Sequence, residues 1–119
     1  PHGIQPGERI LFPTRNYDRD WQNLPFDEEF VYIARDGAEY LAECGVRAVG
    51  VDYLSVGGFR FDSVETHVAL LGKGIWIMEG LRLAEIEAGD YELVCLPLKW
   101  ADCEGAPARA ILRRAEPAA

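Results

Sequence analysis

The chain has 119 residues, a length that accommodates one domain over residues 1–119 and leaves no room for a second core. Its 12 Lys and Arg against 20 Asp and Glu give a net charge of −8, which argues against a nucleic-acid partner because phosphate binding needs clustered cations. No apolar run approaches the roughly 20 residues of a membrane span, and no signal peptide opens the sequence. We therefore expect a cytoplasmic protein without a membrane partner.

Hydrophobic residues make up 49% of the chain, and with glycine counted the apolar share exceeds the roughly 45–50% of an average soluble domain. A domain of this size buries only about two-thirds of its unfolded surface. The excess therefore suggests that a partner chain covers part of the protein. The cysteines Cys44, Cys95 and Cys103 are odd in number and lack Cys-x-x-Cys spacing, so they indicate neither a disulfide framework nor a thiolate zinc site.

The first strand is predicted over Arg9–Thr14, after the turn residues Pro6-Gly7. A loop over Asn16–Phe26 follows, and its aromatic residues either line a ligand pocket or pack beneath the loop. Phe30–Ile33 is predicted to form a short strand or a strand end.

The first helix is predicted to begin at a capping box of Asp36 and Glu39 and to end at Gly45 in the left-handed conformation. Val46–Val51 follows as a nearly continuous apolar run, which is typical of a strand covered on both faces.

The second helix is predicted over Val64–Leu71 with Ser63 as its N-cap, and the apolar strand Ile75–Met78 follows. After one helical turn near Leu83–Ile86, the last two strands are predicted over Tyr91–Leu98 and Ala108–Leu112. This order of elements predicts an α/β fold with a mixed sheet and short helices. We expect residues 113–119 to form a frayed tail.

Two residues carry the candidate chemistry. His67 lies in the second predicted helix, and Glu79 lies twelve residues later at the carboxyl end of an apolar strand. The helix leads away from His67 and the strand leads back, so both residues are expected at the sheet edge where open α/β sheets bind ligands. From spacing alone they are either two ligands of a divalent metal, or a surface histidine and a glutamate that caps or pairs locally.

Three blocks resemble the cyclase family of metal-dependent hydrolases, which includes the bacterial kynurenine formamidases (arylformamidases). They are VRAVGVDYLSV (Val46–Val56), ETHVALLGKGIWIMEGL (Glu65–Leu81) and AGDYELVCLPLKWADCEGAPARAIL (Ala88–Leu112). The resemblance implies a swivelling β/β/α architecture, dimers or tetramers, and hydrolysis of a small-molecule amide at a C–N bond. It also implies that His67 and Glu79 are ligands in a binuclear zinc or manganese centre.

The chain departs from the family pattern because it lacks the N-terminal His-x-Gly-Thr-His-x-Asp motif and the histidine acid/base near it. Two ligands alone should hold a metal weakly or not at all. The sequence is therefore interpreted as the C-terminal part of the hydrolase, inactive alone and complemented by a missing N-terminal segment.

Two further hypotheses stay open. The chain is alternatively a non-catalytic homo-oligomeric or small-molecule binding module, or it forms a metal site from His67 and Glu79 of two chains. Asp52, Ser55 and Arg109 match the family blocks, and structural roles are favoured for all three. The sequence leaves open which of its aromatic side chains, including Trp21, Tyr53 and Trp76, line a pocket.

Overall fold

A computed structural model describes residues 3–16 and 21–114. The fold divides into two compact units, the first ending at Ile86 and the second beginning at Glu87. None of the helices in the described ranges has the length and apolar character needed to cross a membrane.

The first unit is a three-stranded parallel sheet with two helices. Its elements in chain order are β1 (Arg9–Phe12), a 3-10 helix (Trp21–Asn23), α1 (Arg35–Glu43), β2 (Ala48–Val51), α2 (Ser63–Leu71) and β3 (Trp76–Met78). The strand order is β1-β2-β3, with Arg9 opposite Ala48 and Ala48 opposite Trp76. The predicted α/β class with short helices is confirmed. Because the three strands are parallel, α1 and α2 each carry the chain back to the edge of the sheet at which the next strand begins.

The core lies between β2 and the two helices. All four residues of β2 are buried, as its apolar run predicts for a central parallel strand. Val49 and Val51 alternate onto the face that meets Leu41 of α1 and Leu70 of α2. Cys44 packs against this cluster as a half-buried small side chain.

The second unit is an antiparallel hairpin of β4 (Tyr91–Pro97) and β5 (Ala108–Arg114). Arg113 and Arg114, predicted to lie in the frayed tail, are instead the last residues of β5, because they pair with Glu92 and Tyr91 of β4. The Arg113 guanidinium donates to Glu92 and that of Arg114 to Glu87. The remainder of the predicted tail, residues 115–119, lies outside the described residues.

Both helices begin differently from the prediction. Ala34 is the N-cap of α1 and Asp62 is the N-cap of α2, and neither makes a side-chain cap to its own helix. The Asp62 carboxylate instead accepts a hydrogen bond of 3.1 Å from the backbone N–H of Arg35, so a residue distant in sequence stabilises the start of α1. The prediction that Asp36 and Glu39 form a capping box is therefore wrong, because the helix begins before Asp36.

The end of α1 agrees with the prediction, whereas the short strand predicted at Phe30–Ile33 does not form. Gly45 adopts a φ of 73° after α1, which confirms the left-handed position predicted for it. Phe30–Ile33 forms no strand, because the Asn16 side chain bonds both backbone groups of Val31 in place of a neighbouring strand. Ile33 makes one backbone bond, to the carbonyl of Val56.

Gly58 lies at a close approach in the loop before α2. A Cβ on this residue would lie 2.5 Å from the carbonyl oxygen of Phe61 and 2.8 Å from the ring of Tyr32. We expect Gly58→Ala to lower the free energy of unfolding by about 1–3 kcal/mol, because backbone and ring must both move. Urea unfolding followed by circular dichroism measures this.

Gly37 is the matched control for that substitution. It lies inside α1, and an added Cβ would meet only a side-chain carbon of Ile33 at an ordinary 3.5 Å. Gly37→Ala is expected to raise stability by about 0.5–1 kcal/mol through helix propensity. Equal unfolding free energies for the two variants would contradict the packing of the Gly58 loop.

Candidate functional site

His67 and Glu79 meet at one edge of the parallel sheet. His67 lies on α2, and Glu79 directly follows β3. The Nε2 atom of His67 lies 3.3 Å from Oε1 of Glu79, and each side chain is about one-third exposed. The structure therefore brings together the two residues that the sequence predicted to converge, and it does so within a single chain.

Backbone groups fix both side chains. Nδ1 of His67 lies 2.6 Å from the carbonyl oxygen of Ser63, one helical turn earlier. The backbone N–H of Val56 donates to Oε1 of Glu79 at 2.8 Å. Ser63, predicted as a side-chain cap, thus contributes to the site through its carbonyl group.

These contacts determine which atoms are available at the site. A carbonyl oxygen only accepts hydrogen bonds, so the bond to Ser63 places the proton of neutral His67 on Nδ1. Nε2 is then a bare acceptor that faces Oε1 of Glu79, another acceptor. Two acceptors at 3.3 Å are held together favourably when a proton or a metal cation lies between or beside them.

The donor set fits part of a metal site. An imidazole nitrogen and a carboxylate oxygen are both ordinary ligands of zinc and manganese. A backbone carbonyl that accepts a hydrogen bond from the other ring nitrogen, and so orients the histidine, is typical of metal sites. Among residues 3–16 and 21–114, however, no group of three or more His, Cys, Asp or Glu side chains is arranged to hold a metal. Within those ranges His67 and Glu79 are therefore a pair of possible donors without a third such side chain beside them.

An aromatic cavity of about 290 Å³ lies in the same unit. Its walls are formed by residues of the loop after β1 together with Tyr53 (Asn16, Trp21, Leu24, Pro25, Phe26, Asp27 and Tyr53). The Tyr53 ring stacks on Phe30 at 4.5 Å and meets the edge of Trp21 at 5.3 Å. Its hydroxyl accepts a hydrogen bond of 2.8 Å from the backbone N–H of Asp27.

This cavity borders the residue that follows Glu79. The backbone N–H of Gly80 donates to the carbonyl of Tyr53 at 2.7 Å. A Cβ on Gly80 would lie 4.0 Å from the Trp21 ring, and its φ of 67° suits glycine. Trp21 and Tyr53 therefore line a cavity and both lie against Gly80, the residue after Glu79, whereas Trp76 is 71% exposed and is not among the lining residues.

Asp52 has a structural role. Its carboxylate is fully buried at the end of β2 and accepts hydrogen bonds from the backbone and hydroxyl of Thr14, at 2.6 and 2.8 Å, and from the Asn16 amide at 3.3 Å. Ser55 accepts a bond from the backbone N–H of Gly57, and Arg109 lies opposite Leu96 in the hairpin.

Sequence reasoning missed Thr14 and Asn16, which anchor the start of the cavity loop to Asp52. The available signal was their position, since they follow β1 as Asp52 follows β2, and the carboxyl ends of paired parallel strands are adjacent. Tyr17, which belongs to the same predicted aromatic loop, lies outside the described residues.

Comparisons with known proteins agree with this architecture. The Cyclase family model, described as "Putative cyclase", matches residues 1–57. Cyclase-like protein 3 of Oryza sativa subsp. japonica is 43% identical over 94% of the chain and 41% of its own length. The kynurenine formamidase of Delftia acidovorans is 35% identical over 85% of the chain and 49% of its own length. This chain belongs to the cyclase family.

Solved structures support the assignment of this cyclase-family chain. A protein described as a "Potential Metal-Dependent Hydrolase With Cyclase Activity" superimposes with a TM-score of 0.86 at 39% identity, over 96% of the chain and 54% of that protein. A "predicted metal-dependent hydrolase" from Bacillus stearothermophilus gives a TM-score of 0.83 at 39% identity, over 92% and 51%. The chain thus spans about half the length of the relatives that it matches.

Proposed function

We infer that this cyclase-family chain contributes part of the active site of a metal-dependent hydrolase that cleaves a C–N bond of a small-molecule amide. The carrying observation is the orientation of Nε2 of His67 toward Oε1 of Glu79, with Nδ1 bound to the Ser63 carbonyl. The relatives named as kynurenine formamidases support the choice of an amide.

His67 and Glu79 are the residues that would hold a divalent cation, zinc or manganese. When bound at such a site, a cation of this kind supplies Lewis acidity toward a carbonyl oxygen and lowers the pKa of a water molecule. The Ser63 carbonyl fixes the imidazole plane, and the Val56 N–H fixes the carboxylate. Both side chains are therefore preorganised before any ligand arrives.

The aromatic cavity supports a substrate with an aryl group. Trp21 and Tyr53 offer ring surfaces beside Gly80, so an aromatic ring in the cavity would place its substituent toward the residue that follows Glu79. The Asn16 amide already bonds Asp52 and Val31, so it maintains the cavity wall.

The two coordinating residues account for half of a binuclear centre, and the described part of the chain provides no third ligand of the same kind. We expect the 119-residue chain to bind zinc or manganese weakly and to release no formate from N-formylkynurenine. Calorimetric titration with each metal and a formate assay test this. Turnover by the chain alone would contradict the inactivity, and the absence of any binding by either metal would contradict the metal-binding role.

The alternative is a non-catalytic small-molecule binding module derived from the same family. One observation favours it, since the described residues line an aromatic cavity but bring no third metal-ligating side chain to His67 and Glu79. Binding of formanilide, a simple aryl amide, is measured with and without EDTA. Affinity that is unchanged by EDTA, together with no metal binding, supports the module over the hydrolase part.

A further inference from the structure

Thr66 is a fully buried polar residue that directly precedes His67 on α2. Its hydroxyl donates a hydrogen bond of 2.7 Å to the backbone carbonyl of Ile33, which lies 33 positions earlier in the chain. A threonine within a helix ordinarily bonds its hydroxyl to a carbonyl of the preceding turn. The hydroxyl of Thr66 instead bonds a segment outside the helix, so it ties α2 to another part of the first unit.

The backbone of Ile33 contacts both of the elements that carry the candidate metal ligands. Its carbonyl accepts the hydrogen bond from Thr66 of α2, and its N–H donates to the carbonyl of Val56 at 2.9 Å. The N–H of Val56 in turn donates to Oε1 of Glu79 at 2.8 Å. One residue of an extended segment therefore connects the helix that carries His67 with the backbone group that holds Glu79.

The Thr66 hydroxyl restrains the rotation of α2 about its own axis more closely than packing does. Leu70, one turn later on the same face, is fully buried, but apolar contacts have no preferred direction. A hydrogen bond weakens steeply when its angle departs far from linear. Because a side-chain tip lies about 6 Å from a helix axis, a rotation of about 10° moves that tip by about 1 Å. The bond at Thr66 therefore limits where the imidazole of the next residue can lie.

The separation between His67 and Glu79 is the quantity that this connection controls. Two ligands of one tetrahedral zinc ion, each at about 2.0–2.1 Å from the metal, lie about 3.3–3.4 Å apart. Nε2 of His67 lies 3.3 Å from Oε1 of Glu79. We propose that Thr66 is a positioning residue that holds the imidazole at this separation through the backbone of Ile33. Its relevance to catalysis rests on the proposed metal-binding role of the pair.

NMR of the metal-free chain tests the positioning directly. The parent is expected to show a nuclear Overhauser cross-peak between the His67 ring protons and the Glu79 side chain, since these groups are in contact. Thr66→Val keeps the branched shape but deletes the hydroxyl, and it should reduce this intensity at least about twofold relative to cross-peaks within α2. Thr66→Ser, which retains the hydroxyl, should keep the parental intensity. Equal intensities in Thr66→Val and the parent overturn the proposal.

Zinc titration by calorimetry supplies the second measurement. Thr66→Val should weaken zinc binding about tenfold, and Thr66→Ser should stay within about threefold of the parent. Ile75→Val is the control for a general loss of stability, because it removes one buried methyl group at the opposite end of β3 from Glu79. This control should leave both the cross-peak and the zinc affinity unchanged.

The two measurements separate this proposal from the proposed function. A zinc affinity of Thr66→Val equal to that of Ile75→Val overturns the positioning role. Absence of zinc binding by the parent chain overturns the proposed function instead, because Thr66 is unchanged in that sample. The cross-peak of the metal-free chain then still decides whether Thr66 holds His67 against Glu79.

Discussion

Asp52→Ala is expected to lower the free energy of unfolding by about 3 kcal/mol. The substitution removes a fully buried carboxylate and leaves the backbone N–H of Thr14, its hydroxyl and the Asn16 amide without their acceptor. Buried donors that lose their partner carry the full cost of desolvation. Urea unfolding of the variant, monitored by circular dichroism and by tryptophan fluorescence, measures the loss.

Thr14→Val is the graded control for that prediction. It deletes one donor to Asp52 and retains the backbone N–H, so we expect a loss of about 1 kcal/mol. If Asp52→Ala costs less than Thr14→Val, the carboxylate does not anchor the loop that begins at Thr14. In that event its match to the family block needs an explanation other than stability.

Metal affinity is expected to fall at least about tenfold in both His67→Ala and Glu79→Gln. His67→Ala removes the imidazole donor. Glu79→Gln replaces an anionic oxygen with a neutral one but keeps an acceptor for the Val56 N–H, so the fold should be preserved. In a complex complemented by the N-terminal portion of a family member, His67→Ala should reduce formamidase activity by more than about a hundredfold.

Two substitutions at Glu79 distinguish a role in metal binding from a role in stability. Glu79→Gln is expected to leave the unfolding free energy within about 0.5 kcal/mol of the parent, whereas Glu79→Ala also loses the bond to Val56 and is less stable. Zinc affinity by calorimetric titration, measured on the same samples, is the readout. An unchanged zinc affinity in His67→Ala would rule out His67 as a ligand.

Much of the fold follows from local patterns in the sequence. The apolar run that became β2 identifies a strand covered on both faces, and Gly45 identifies the end of α1, because each depends on residues adjacent in sequence. The convergence of His67 and Glu79 was predictable for a related reason. A helix followed by a parallel strand returns the chain to its starting edge, so their spacing alone places them together.

The start of α1 was not predictable in the same way. The sequence offers Asp36 and Glu39 as a capping box, but the Asp62 carboxylate reaches the Arg35 N–H from a distant loop, and Glu39 pairs with Arg35 instead. Similarly, Asn16 satisfies Val31 and prevents a fourth strand. Long-range side-chain-to-backbone bonds of this kind have no signature in local periodicity.

The register of β1 on β2 also bears on how the first unit folds. Arg9 lies opposite Ala48, so the two strands come together only after a segment of about 40 residues has closed, at a considerable loss of chain entropy. α1 forms within that segment from local contacts and shortens the distance to be closed. We therefore expect this non-local closure to limit the folding rate of the first unit, and the Thr14–Asp52 bonds at the far end of the strands to form once β1 has docked.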